Sequence, residues 1–136
     1  MEYLKGILYI LIIAQIVFIG SIAIDNIDGN ITCTIGSSCS LVQTSEYSKI
    51  FGIDVSFIGL AGFIGLLTLL ILSDNKIIPY KLFLVAAYLG TAFAIYFISL
   101  QIFILNEICI DCMIADTVTI AISLIATYHY KIKKRR

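Results

Sequence analysis

Four long hydrophobic runs, separated by short polar segments, account for most of this chain. They are residues 6–24, 53–72, 82–105 and 108–128. The few charges within them, on Asp54, Asp111 and Asp116, all lie near the start of a run. A helix of about 20 apolar residues crosses the hydrocarbon core of a bilayer, whereas open strands would leave backbone groups unpaired there. The pattern predicts an all-α membrane protein, a bundle of four transmembrane helices forming one domain over residues 1–136.

The composition supports this prediction. Of the 136 residues, 60% are hydrophobic and 13% are charged, against about half and about a quarter in a typical soluble domain. The surplus of apolar side chains must face something other than water, and we expect membrane lipid around the bundle. The formal net charge is zero, so nucleic acid is not expected as a partner.

The basic residues predict the orientation in the membrane. Eight of the nine lysines and arginines fall on one side of the predicted spans: Lys5, Lys76, Lys81 and the five in the C-terminal tail. Only Lys49 lies on the other side. Basic residues are enriched in cytoplasmic loops. We therefore expect a multi-pass protein of the cell membrane with both termini in the cytoplasm and the long loop 25–52 outside.

The outer loop contains one segment with helical character, residues 45–52. Tyr47, Ile50 and Phe51 would share one face of a short helix lying at the membrane interface, and Gly52 would suit its C-cap. The sequence therefore predicts an interfacial helix over residues 45–52.

Within the spans, small residues recur at helical spacing. Gly59, Gly62 and Gly65 mark the second helix, and Ala86, Gly90 and Ala94 mark the third. Such faces let helix backbones approach closely in membranes, and close packing is the expected role. A polar side chain at membrane depth, Gln15, is expected to form an interhelical hydrogen bond.

Candidate chemistry is concentrated in four cysteines, all placed at the outer face. Cys33 and Cys39 form C-x5-C in the outer loop, and Cys109 and Cys112 form C-x2-C at the start of the fourth helix. Structural disulfides would suit an oxidising outer face, and four thiolates could bind zinc, although C-x5-C is an unusual spacing for that. The C-x2-C pair at a helix start favours redox chemistry, because the helix N-terminus stabilises thiolate and two dithiols can exchange disulfides. The spacing alone leaves all three interpretations open.

Together with the surrounding residues, the cysteines resemble a known family. The elements are CTIGSSC at 33–39, SEY at 45–47, FGI at 51–53, GLAG at 59–62 and CIDC at 109–112. In this order they resemble the vitamin K epoxide reductase (VKOR) family, on its prokaryotic disulfide-forming branch. The DsbB family, which also links disulfides to quinones, has C-x2-C in the first outer loop instead.

The resemblance implies a mechanism. A thioredoxin-like protein would give two electrons to a Cys33–Cys39 disulfide, and Cys39 would exchange with Cys109, reducing the Cys109–Cys112 pair. Cys112 would face a quinone of the menaquinone or ubiquinone type and pass the electrons on. Ser45 matches a loop serine that helps to order the site in the family. The resemblance implies an enzyme that supports disulfide bond formation. It implies no metal.

The chain departs from the family in two respects. Many prokaryotic members carry a fused thioredoxin-like domain, whereas only eight residues follow Tyr128 here, so we expect a separate, DsbA-like partner. Vertebrate members hold the vitamin K ring with an asparagine and a tyrosine whose positions align with Val55 and Asp116. These substitutions favour plain quinone reduction over epoxide chemistry.

Asp116 is a candidate for a further role in that reaction. Cys109, Cys112 and Asp116 stand at i, i+3 and i+7 and would form one stripe of the fourth helix. A carboxyl facing the bundle interior at membrane depth is a functional candidate. Reduction of a quinone takes up two protons, and Asp116 could supply one.

The alternative to an enzyme is a small structural or transport membrane protein stapled by two disulfides. A transporter is expected to hold an ionisable residue near the middle of the membrane, and no predicted span has one at that depth.

Overall fold

The prediction of an all-α membrane protein is confirmed. A computed structural model describes the backbone of residues 2–29 and 38–136. Its helices are α1 (Glu2–Asp28), α2 (Ser38–Thr44), α3 (Val55–Asp74), α4 (Tyr80–Ser99) and α5 (Ile110–Arg135). All but α2 are long and apolar enough to cross a membrane, with α4 counted together with its continuation to Leu105. The chain is thus a multi-pass membrane protein.

The four long helices pack as a bundle in which each contacts two neighbours. α1 packs against α3 and α5, and α4 packs against the same two helices. Aliphatic and aromatic side chains of all four fill the centre, and the largest fully buried ones are Leu8, Ile12, Leu70, Phe83 and Ile122. Most of the remaining large apolar side chains are exposed on the outside of the bundle, where lipid would cover them. The core therefore lies along the bundle axis.

Polar contacts close the end of the bundle that is remote from Cys109 and Cys112. Lys5 near the start of α1 forms an ion pair with Asp74 at the end of α3, at 2.7 Å. The Tyr9 hydroxyl donates to the same carboxylate at 3.2 Å. Across the bundle, Tyr80 at the start of α4 contacts the ring of His129 near the end of α5. Glu2 and the end of α5 thus lie at one end of the bundle, and the C-x2-C cysteines lie at the other.

The outer loop does bear a short helix, but not where the sequence predicted it. The helix is α2, ahead of the predicted segment 45–52. That segment instead forms a 3-10 turn, Glu46–Ser48, and a two-stranded hairpin that pairs β1 (Lys49–Ile50) with β2 (Ile53–Asp54). Phe51 and Gly52 at its tip have φ of 53° and 80°, as a type I′ turn requires. Gly52 is therefore a turn residue rather than a helix cap, and Phe51 is fully exposed.

At the end of the bundle that holds Cys109 and Cys112, the helical chain of α4 continues beyond its α-helical part. It continues as a π-helical segment, Leu100–Leu105, and Asn106 then reverses the chain with a φ of 49°. Short π-helical segments are rare and recur at functional sites. This one lies directly before the C-x2-C motif.

The small residues of α3 and α4 prove to have two different roles. At Gly90 a Cβ would meet the Thr119 methyl at 3.5 Å, so the expected close approach of α4 and α5 is confirmed there. At Gly62 and Gly65 a Cβ would meet nothing within 4 Å. Close packing was the wrong prediction for these two glycines, because they border an open cavity between the helices.

Candidate functional site

A cavity of about 480 Å³ opens inside the cysteine end of the bundle. On α3 its wall extends from Val55 to Leu69, about 20 Å along the helix axis at 1.5 Å per residue. Most of the wall is aliphatic, aromatic or glycine. Toward α5 it includes polar groups that could react with or bind a ligand, namely Gln101, Asp111, Cys112, Asp116 and Thr119. An apolar pocket with a few polar groups on one side is typical of small-molecule sites.

The two cysteines of C-x2-C adopt different positions relative to this cavity. Cys109 is fully buried and caps the N-terminus of α5, where its Sγ accepts a hydrogen bond from the Cys112 backbone N–H at 3.3 Å. That bond and the helix dipole both favour negative charge on the Cys109 sulfur. Cys112 is a half-buried thiol in the first turn of α5 and lines the cavity. The pair can thus close into a disulfide with Cys112 on the cavity side.

Gln101 is a site residue that the sequence analysis missed. It lies in the π-helical segment, is only 3% exposed, and accepts a hydrogen bond from the Cys109 backbone N–H through Oε1 at 3.0 Å. The sequence could have indicated it, because Gln101 is a polar residue inside an apolar run, the same feature that singled out Gln15. Its link to Cys109 depends on the π-helical geometry, which the sequence pattern did not indicate.

Asp116 stands one helical turn after Cys112 on the same face of α5 and lines the cavity with it. Its Oδ2 is enclosed, and neither carboxyl oxygen has a hydrogen-bond partner among the residues whose side chains are described. The predicted stripe is therefore realised for Cys112 and Asp116, whereas Cys109 lies just outside the helix as its cap. A carboxyl in this position can exchange a proton with a ligand in the cavity.

The interhelical hydrogen bond expected for Gln15 is confirmed. It is 3% exposed and donates from Nε2 to the Ala115 carbonyl oxygen at 2.8 Å. Thr119 bonds the same oxygen at 2.8 Å. The hydrogen bond from Gln15 ties α1 to α5 directly beside Asp116, although Gln15 does not itself line the cavity.

The outer loop reaches the rim of the cavity. Ser45 lines it and donates from Oγ to the Val42 carbonyl oxygen at 2.8 Å, while its own carbonyl oxygen accepts from the Ser48 hydroxyl at 2.7 Å. These bonds hold the exit of α2 against the 3-10 turn. The backbone of Cys39 belongs to α2, which contacts α5; Cys33 and the Cys39 side chain lie outside the described residues.

The structure therefore brings Cys109, Cys112, Asp116 and Ser45 to one end of the bundle, three of them in the wall of one cavity. Val55, at the first turn of α3, lines the same cavity. Val55 and Asp116, the two positions singled out by the sequence resemblance, thus both border this cavity.

Comparison with known families gives a match that covers nearly the whole chain. The model of the vitamin K epoxide reductase family matches residues 6–127. Enzymes of this family are oxidoreductases that act with quinones. The matched region includes all four cysteines and every residue of the cavity wall.

Proposed function

The chain belongs to the vitamin K epoxide reductase family, and we propose that it is a protein-dithiol:quinone oxidoreductase. In this proposal it reoxidises a separate thioredoxin-like, DsbA-like protein outside the cytoplasm and reduces a membrane quinone. Disulfide bond formation in other proteins is then its biological output. Vitamin K epoxide is not proposed as a substrate, because the positions that hold its ring in vertebrate members are Val55 and Asp116 here.

The observation that carries the proposal is the placement of the two C-x2-C sulfurs. Cys112 borders an apolar cavity within the membrane bundle, while Cys109 is fully buried and is not part of the cavity wall. The Cys112 thiol is thus available to a lipid-soluble oxidant. The thiolate form of Cys109 is stabilised by the start of α5, where the Cys112 backbone N–H donates to its sulfur. Two stapling disulfides in a structural protein would not need a cavity beside one of them.

The cavity suits a quinone better than a polar substrate. Its wall is apolar along α3 and α4, so an isoprenoid chain would bury hydrophobic surface there. Polar side chains line the cavity on α5 and toward the outer loop, and the ring oxygens would find partners there. When bound, the quinone supplies a two-electron acceptor within the membrane.

The proposed chemistry balances without a further reactant. The Cys109 and Cys112 thiols together lose two electrons and two protons as their sulfur–sulfur bond forms, and the quinone gains both to become quinol. Asp116 passes one of the protons: its carboxyl donates to a ring oxygen and is reprotonated by the proton that a thiol releases.

The first half of the relay runs through the outer loop. The partner reduces a Cys33–Cys39 disulfide, the Cys39 thiolate attacks the Cys109–Cys112 disulfide at Cys109, and Cys33 then resolves the mixed disulfide. The contact between α2 and α5 supports this route, because it brings the backbone that carries Cys39 to the helix that follows Cys109. Ser45 is proposed to hold α2 in place for the exchange, through its bonds to Val42 and Ser48.

A single turnover of the purified protein tests the proposal without the partner. The fully reduced protein is mixed with ubiquinone-1, and quinol and protein disulfide are quantified. We expect one quinol for each protein disulfide formed, and none from Cys112→Ser. Quinol formation that is equal in wild type and Cys112→Ser would contradict the proposal and favour a structural role for the cysteines.

A further inference from the structure

Gln101 holds a buried amide that bonds the described residues through its oxygen alone. Its Nε2 offers two N–H groups, and none of the described residues accepts from it, although the side chain is 3% exposed. Leaving a buried donor unpaired destabilises a protein, and does so more strongly in a membrane than in a soluble domain. The position of Gln101 therefore requires an explanation beyond packing.

The orientation of the amide is fixed by its other half. The Cys109 backbone N–H can only donate, so the atom that it bonds at 3.0 Å must be the Gln101 oxygen. Nε2 is then the group left for the cavity that Gln101 lines. This nitrogen is not among the enclosed unpartnered atoms, in contrast to Asp116 Oδ2, and so it borders accessible space.

Two other amide side chains in the cavity wall are already engaged. Asn26 donates from Nδ2 to the Ser56 hydroxyl at 3.4 Å, and Gln43 also has a partner. Gln101 differs from Asn26 because neither N–H group of its amide donates to a described residue. It is also the amide that touches the backbone of a redox cysteine.

We propose that Gln101 binds the quinone, donating from Nε2 to a carbonyl oxygen of the ring while its Oε1 holds the Cys109 N–H. This inference rests on the proposed function and adds a binding residue to it. The hydrogen bond draws electron density from the ring and strengthens as negative charge develops on the oxygen, which favours electron transfer from the dithiol. Because one amide contacts both reactants, it also fixes the ring relative to the Cys109–Cys112 pair.

A matched pair of variants separates quinone binding from general packing. Gln101→Met removes the amide at nearly constant volume. Gln15→Met makes the same change at a glutamine that is equally buried, donates one interhelical bond and lies outside the cavity wall. With ubiquinone-1 as the probe, we expect the KM of Gln101→Met to rise roughly fivefold to a hundredfold, the range for one buried hydrogen bond. The KM of Gln15→Met should change less than about twofold, a bound set by the absence of a ligand contact.

An infrared measurement distinguishes a direct hydrogen bond to the quinone from a change in KM that arises only because Cys109 is displaced. Ubiquinone-1 labelled with ¹³C at each carbonyl in turn gives an infrared band for each oxygen of the bound ring. We expect one carbonyl of the wild-type complex to absorb at lower frequency than free ubiquinone-1, and this band to move back in Gln101→Met but not in Gln15→Met.

An unchanged KM together with an unchanged carbonyl band in Gln101→Met would overturn the inference, and Gln101 would then only position Cys109. Should that variant not fold, ¹⁵N resonances of the wild-type glutamine side chains serve instead. The chain has three glutamines, so Gln15→Met and Gln43→Met assign the third by elimination. Gln101 Nε2 resonances that do not move when ubiquinone-1 is added also overturn it. Failure of the proposed function is distinguishable, because wild type itself would then reduce no quinone.

Discussion

Replacement of Asp116 by asparagine removes a proton that the proposed reaction needs while keeping the shape of the side chain. Neither oxygen of the carboxyl is bonded to a described residue, and one is fully enclosed beside the cavity. Asp116 follows Cys112 by four residues, about 6 Å along the axis of α5. A ring that contacts Cys112 is therefore within reach of the Asp116 carboxyl. Asparagine can occupy the same space but has no proton to give.

The size of the effect follows from what a positioned acid contributes. General acids typically accelerate a step by about 10²–10⁴-fold. Because water that enters the cavity can partly replace the carboxyl, we expect quinone reduction by Asp116→Asn to slow by at least about tenfold, or about 1.4 kcal/mol in activation free energy. The assay is the single turnover of reduced protein with ubiquinone-1, followed by stopped-flow absorbance over a broad pH range. Asp116→Glu should recover part of the rate, because it restores the acid.

Two controls separate proton transfer from structural damage. Disulfide exchange with a reduced thioredoxin-like substrate, measured without quinone, should be unchanged in Asp116→Asn. Asp28→Asn removes an exposed carboxylate at the same end of the bundle, outside the cavity wall, and should reduce quinone at the wild-type rate. Turnover of Asp116→Asn within about twofold of wild type at every pH, far below the usual contribution of a general acid, would show that Asp116 donates no proton.

Three further predictions address the relay, the orientation and the cavity. In Cys33→Ser the thiol that displaces Cys109 from the mixed disulfide is missing, so a Cys39–Cys109 species should accumulate in non-reducing peptide maps; a map with only Cys109–Cys112 would contradict the order of the relay. A membrane-impermeant thiol reagent should label reduced Cys33 and Cys39 in intact cells, and labelling only after the inner face is opened would invert the topology. Gly62→Leu should fill cavity space, because a Cβ at this position would meet nothing within 4 Å. The KM for a long-chain quinone should then rise by at least about tenfold, as expected for the loss of one side chain's buried apolar surface, while disulfide exchange stays intact. An unchanged KM would place the quinone elsewhere.

The four helices were predictable because, within lipid, the backbone N–H and C=O groups of a span must be hydrogen-bonded internally. A single apolar run can meet this requirement only as a helix. Only the length of the first helix was underestimated, since α1 extends over Glu2–Asp28. The outer loop is not under that requirement, and there the prediction placed a helix over residues that form a hairpin. The turn depends on a phenylalanine at positive φ, Phe51, which is an uncommon choice for that conformation.

The candidate site was predictable in its reactive groups but not in its geometry. Cys112 and Asp116 could be assigned to one face of a helix from their spacing. The glycines of α3 were interpreted as packing residues, because spacing cannot distinguish a helix contact from an open groove. Gln101 was missed because its bond to Cys109 crosses from a π-helical segment to a helix cap, and neither feature has a sequence pattern of its own.

Quinone-dependent oxidation of a protein dithiol is the measurement that tests the central claim most directly. The purified protein in lipid nanodiscs is supplied with a reduced thioredoxin-like substrate and ubiquinone-1, and quinol and substrate disulfide are followed together. We expect one quinol for each substrate disulfide, with catalysis lost in Cys109→Ser and Cys112→Ser. Substrate oxidation that proceeds without quinone, or no oxidation above that of the cysteine variants, would contradict the account.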